Sequence, residues 1–117
     1  MEDLDPRDLL VRLGDEEVLV LDCREEEDWE CYQLHIPGAL RMTLHELSES
    51  SHSLPDDELI VLCGASPDGG DARRAARLLR MRGRQAVTLS GGIQAWITAG
   101  YPVERHQPEM TASAAPR

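Results

Sequence analysis

The run Leu59-Ile60-Val61-Leu62-Cys63 leads into Gly64-Ala65-Ser66-Pro67-Asp68-Gly69-Gly70 and then into Asp71-Ala72-Arg73-Arg74-Ala75-Ala76-Arg77-Leu78-Leu79-Arg80. This stretch decides the fold. A continuous aliphatic run of strand length suits a parallel strand buried on both faces. The small, turn-forming residues after it read as a loop. Asp71 is a good N-cap for a helix over 71–82, in which Ala72, Ala75, Ala76 and Leu79 recur at helical spacing as one apolar stripe. Gly83 stops that helix. The unit is strand, loop, helix, with Cys63 at the carboxyl end of the strand.

The same grammar recurs on either side. Val18-Leu19-Val20-Leu21 is a second aliphatic strand, ending abruptly in Asp22-Cys23-Arg24. Ala86-Val87-Thr88-Leu89 is a last short strand, followed by Gly91-Gly92 and a segment holding Trp96, expected to cover the sheet. Upstream, Asp5-Pro6 starts a helix carrying Leu9, Leu10 and Leu13, which Gly14 closes. Glu25 to Glu30 reads as a short solvated helix. His35 to Leu40 reads as a rigid turn entering a short strand, Leu44 to Leu47 as a single helical turn, and Ser48 to Pro55 as a polar loop. Strands alternating with helical patterns predict an α/β fold with a parallel sheet, and sites in such sheets form at the carboxyl ends of strands. Residues 1–104 are expected to form the domain and the polar, aperiodic residues 105–117 a flexible tail.

Composition narrows the function classes. The 117 residues are 41% hydrophobic, with no Phe, two Trp and two Tyr, so aliphatic side chains must fill the core. No stretch approaches the roughly 20 apolar residues that span a bilayer, and the acidic start is unlike a signal peptide, so a cytoplasmic location is expected. The net charge of −10 is unevenly placed. Residues 1–58 hold 18 acids and 4 arginines (−14), residues 59–117 hold 4 acids and 8 arginines (+4), and there is no lysine. Such a balance excludes nucleic-acid binding by bulk electrostatics. Cys23, Cys31 and Cys63 are an odd number without regular spacing, which points to reduced thiols rather than a disulfide framework. Cys31 and His35 are four apart but lack a second ligand pair, so neither a metal nor another cofactor is expected.

Cys63 is the residue best placed for chemistry. A thiol at a strand end, facing a glycine-rich turn that opens onto a helix, sits among free backbone N–H groups. Those groups stabilise a thiolate, or the anion that it attacks. The same residue is also read as a small buried hydrophobe.

The chain from about residue 4 to residue 104 resembles the rhodanese (thiosulfate sulfurtransferase) family. Val20-Leu21-Asp22-Cys23-Arg24-Glu25 is similar to its LDxRE strand end, His35-Ile36-Pro37-Gly38-Ala39 to its HIPGA signature, and Leu59 to Cys63 to the strand that delivers its cysteine. Gly91-Gly92-Ile93-Gln94-Ala95-Trp96 with Ala99-Gly100-Tyr101-Pro102-Val103 resembles its GGxxAWxxAGxPV ending. The resemblance implies a three-layer fold, a mostly parallel five-stranded sheet with helices on both faces. It also implies a sulfurtransferase in which Cys63 carries sulfane sulfur as a persulfide from a small donor to a thiol or cyanide. The backbone of Gly64, Ala65, Ser66, Pro67, Asp68, Gly69 and Gly70 would then cradle the anionic sulfur, with Asp22, Arg24 and His35 as structural support.

The loop departs from the family's compact, basic C-x-x-G-x-R-S form. It is longer and carries Asp68 and Asp71, whose charges oppose a dianion such as thiosulfate. Matching the strand puts Cys63 at the nucleophile's position, whereas matching Pro67 to the proline of longer-loop relatives puts Gly64 there. The alternative function is therefore a catalytically inactive module that binds a partner protein or a regulatory ligand. Phosphatase chemistry is disfavoured, because it wants Cys-x5-Arg and the sixth position after Cys63 is Gly69. Cys23 and Cys31 are read as packing residues, Cys23 alternatively as a resolving thiol. Arg73, Arg77, Arg80 and Arg84 form a solvated helix face or a dock for an acidic partner.

Overall fold

The computed structural model describes residues 3–66 and 68–106. Pro67 of the expected cradle and residues 107–117 of the expected tail lie outside the described residues. The strands are β1 (Asp3–Leu4), β2 (Val18–Asp22), β3 (Leu34–His35), β4 (Leu40–Arg41), β5 (Leu59–Cys63), β6 (Gln85–Leu89) and β7 (Glu104–Arg105). The helices are α1 (Pro6–Arg12), α2 (Glu26–Cys31), α3 (Leu44–Ser50), α4 (Gly70–Met81) and α5 (Gly92–Thr98), with a 3-10 turn over Ser51–Ser53.

Five strands form one sheet in the order β1-β6-β5-β2-β4, and every neighbouring pair is parallel. The aliphatic strands lie at its centre because alternate side chains leave on opposite faces and both faces are covered. Leu21, Ile60 and Leu62 meet Leu47 of α3 and Ala72, Ala75, Ala76 and Leu79 of α4 on one side. Val20, Val61, Val87 and Leu89 meet Leu9 of α1 and Ile93 and Trp96 of α5 on the other. This is the expected three-layer α/β architecture. Trp96 is fully buried, and its indole N–H donates to the Pro102 carbonyl at 2.7 Å, so its one polar group is satisfied inside the core.

Three boundaries differ from expectation. Ser48 to Pro55 is not a plain loop: α3 runs to Ser50 and the 3-10 turn follows. Thr43 and Glu46 form a reciprocal capping box that nucleates α3. Helix α4 begins at Gly70, with Gly69 at the N-cap in a left-handed conformation, φ 76°, so Asp71 lies inside its first turn. The chain is also still paired at Arg105, which the sequence assigned to the tail: β7 runs antiparallel to β3, and His106 N–H donates to the Gln33 carbonyl.

The stripe of α4 makes a direct test of the architecture. Leu79 is completely buried between α4 and the sheet, so Leu79→Ala should cost about 2–5 kcal/mol in urea denaturation.

Candidate functional site

The carboxyl ends of β4, β2 and β5 set Arg41, Asp22 and Cys63 in one row, since Asp22 is in register with both of the others. Asp22 and Arg24 are both buried, at 1% and 0% exposure, and form an ion pair at 2.7 Å. Arg24 donates from Nε and Nη2 to the carboxylate, from Nη1 to the Tyr32 carbonyl and from Nη2 to the Leu34 carbonyl. The pair thus pins the end of β2 to the end of α2 and the start of β3.

The Cys63 side chain points into the core beneath α1 and α5, and the residue is 1% exposed. Burial, and then the charge of Asp22, push its thiol well above the ordinary cysteine range. Cys23 faces the opposite layer. Its N–H and its Sγ both address the Cys63 carbonyl, at 2.9 and 3.4 Å, and burial followed by the Asp71 charge raises its thiol as well. The two thiols sit on opposite faces of the sheet, and Cys31 is exposed on α2.

Two of the loop amides after Cys63 are taken by a carboxylate of the chain itself. The Asp71 carboxylate accepts the N–H groups of Ala65 at 2.9 Å and Ser66 at 3.3 Å, and that of Ala72 at 2.8 Å. Gly64 has its back to this carboxylate: a Cβ built there would overlap the Asp71 carboxyl group. The Gly64 carbonyl in turn accepts Ile93 N–H at 3.0 Å, and a side chain at Gly92 would collide with that carbonyl, so α5 clamps the loop from the other side. Asp68 bonds the Ser66 hydroxyl and the Gly70 N–H, which hold it below the usual carboxylate range. Beside the loop, Asp68, Gly69, Arg73 and Ser90 line a cavity of about 160 Å³. No group of three or more metal-ligating side chains occurs among the described residues.

His35 is part of a cluster that the sequence hid. His106 stacks on Trp29 with ring centroids 3.6 Å apart, and its Nε2 lies 2.8 Å from the Trp29 carbonyl. That contact requires a proton on Nε2, which leaves Nδ1 of neutral His106 as an acceptor for His35 Nδ1–H at 2.9 Å. His35 Nε2 faces Glu104 at 3.4 Å. Trp29 also carries the Arg24 and Arg41 guanidinium groups over its ring, at 5.0 and 4.9 Å. Of the arginines on α4 and just after it, Arg80 donates to the Ala86 carbonyl and Arg84 to the carbonyls of Ser51, His52 and Leu54. Those two guanidinium groups are therefore tied into the fold, and Arg73 and Arg77 remain exposed.

The Rhodanese-like domain family matches residues 5–99. A sulfurtransferase of Allochromatium vinosum is 31% identical over 88% of this chain and 94% of its own length. An HTH-type transcriptional regulator of Mycobacterium tuberculosis is 33% identical over 86% of this chain, which spans only 44% of that protein. The rhodanese-like domain of an Anabaena protein superposes with a TM-score of 0.75 at 30% identity, covering 100% of this chain and 89% of the other.

Two outcomes test this geometry. Alkylation with iodoacetamide under native conditions should give a single adduct on Cys31, with Cys23 and Cys63 modified only after denaturation, as read by peptide mass spectrometry. The clasp around His106 should weaken in acid. Burial, and then the neighbouring His35, hold His106 below the ordinary histidine value, so the unfolded chain takes up its proton at higher pH. The stability it contributes is present above that ordinary value and is lost as pH falls through it. The melting temperature should therefore drop less between about pH 8 and about pH 5 in His106→Gln than in wild type.

Proposed function

The chain belongs to the rhodanese-like domain family, and on that premise we propose that it is a non-catalytic binding module whose anion cradle is filled by its own carboxylate. The observation that carries this reading is the Asp71 carboxylate on the Ala65 and Ser66 amides. Persulfide chemistry needs an accessible thiolate whose terminal sulfur, once loaded, meets loop N–H groups. Cys63 is buried with its thiol held protonated, and the amides that would serve it already have an anion. A side chain at position 64 would fall on the Asp71 carboxylate that those amides hold, which supports the register with Gly64 in the nucleophile's place. Similarity to a stretch of a transcriptional regulator accords with a module that binds a partner protein or a regulatory ligand.

Similarity to the Allochromatium sulfurtransferase favours a second reading, sulfur transfer through Cys63. There the Cys63 thiolate would attack the sulfane sulfur of a donor, form an S–S bond, and release the donor remnant with the electron pair of the broken bond. With thiosulfate the remnant is sulfite. A thiol or cyanide would then remove the terminal sulfur. This route requires Cys63 to leave the core and Asp71 to leave the amides.

Intact-mass measurement after incubation with thiosulfate and with 3-mercaptopyruvate separates the two. The binding-module reading expects no added sulfur on wild type, and uptake by Gly64→Cys combined with Asp71→Ser. A cyanide-removable gain of one sulfur by wild type, abolished in Cys63→Ser, would replace it with the second reading.

A further inference from the structure

A second site lies along the same carboxyl edge of the sheet, away from the loop. Arg41 and Trp29 line a cavity of about 230 Å³ with Glu26 and Glu30 of α2. Arg41 is half-buried, and its Nε is shut off from water with no acceptor among the described residues. Among the described residues its guanidinium makes no ion pair or hydrogen bond, and it packs on the Trp29 ring. Leaving a partly desolvated charge without a counter-ion is costly, and a guanidinium fork is shaped for a carboxylate. Trp29 is a fixed wall, because His106 stacks on it and donates its Nε2–H to the Trp29 carbonyl.

The charges around the cavity choose the ligand. Glu26 and Glu30 are four apart and share one side of α2. Neither carboxylate lies within ion-pair distance of Arg41, so the cavity keeps opposite charges apart. A simple anion would be repelled by the two glutamates, and a simple cation would leave the Arg41 guanidinium still without a carboxylate. The volume falls below the roughly 300–1,000 Å³ usual for drug-sized ligands. We propose that this cavity binds a small zwitterion, a free α-amino acid, with its carboxylate on Arg41 and its ammonium toward Glu26 and Glu30. The proposal rests on the reading of the chain as a binding module. Sulfur uptake at Cys63 is measured separately, so failure of that reading and failure of amino-acid binding are told apart.

The test titrates the whole chain with each genetically encoded amino acid, by calorimetry and by thermal shift. At least one should bind wild type. Its affinity should fall by about tenfold or more in Arg41→Gln, in the double variant Glu26→Gln with Glu30→Gln, and toward its own methyl ester and N-acetyl derivative. The glutamates are exposed, so their variant keeps the assay readable even where Arg41→Gln disturbs Trp29. Absence of binding by every amino acid at millimolar concentration would overturn the proposal. So would equal binding by the blocked derivatives or by the glutamate variant.

Discussion

The carboxyl edge of this sheet depends on one buried ion pair, Asp22 with Arg24. Two charges held at 1% and 0% exposure are tolerable only if their remaining hydrogen-bonding groups are also satisfied. Here they are, because the guanidinium that grips Asp22 also takes the Tyr32 and Leu34 carbonyls. The backbone of the same segment extends the alignment: the Asp22 carbonyl accepts Met42 N–H, and Cys23 N–H donates to the Cys63 carbonyl. Removing one partner would leave an uncompensated buried charge, a loss of about 3–5 kcal/mol. The loop after β5, the clasp of β7 and the Trp29 wall all hang from that edge.

Against this fixed edge, the loop after Cys63 is a question of which anion the amides receive. Backbone N–H groups at a helix start attract negative charge whatever its source. A carboxylate already tethered at Asp71 needs no encounter and gives up little freedom, so it outcompetes a dilute external anion. The same tether leaves Gly64 without room for a side chain and places a negative charge near both buried thiols. One acidic residue in the first turn of α4 thereby fills the loop amides and adds to the burial that disfavours both thiolates.

Much of the fold was legible in the sequence because its central strands are unbroken aliphatic runs, and the Ala72, Ala75, Ala76, Leu79 stripe has one helical solution. The extension of α3 was legible in principle, since Thr43 and Glu46 stand at capping-box spacing. Asp71 was visible as an acid at a helix start, but its recruitment by Ala65 and Ser66 depends on Gly69 turning left-handed one residue before α4. No local pattern encodes that. The Trp29 and His106 stack is further out of reach, because it joins residues 77 apart through a ribbon of only two residues per strand. Arg41 read simply as the residue after a short apolar run, and its lack of polar partners among the described residues emerges only once β4 is docked.

The arginines show why a charge pattern on a helix is a weak guide to its surroundings. Arg80 and Arg84 were grouped with Arg73 and Arg77 as one basic face, yet the first two serve as internal clamps. Arg82 and Arg84 gather the carbonyls and the hydroxyl presented by Ser48, Ser51, His52 and Leu54, where α3 and the 3-10 turn leave their acceptors unused. A lysine ammonium, compact and strongly hydrated, would serve this poorly, whereas a planar guanidinium spans several acceptors at once. The same fork that closes a helix end when carbonyls are in reach becomes a ligand-seeking group when none is. That contrast separates Arg84, which has four carbonyls, from Arg41, which has an aromatic ring and an open cavity.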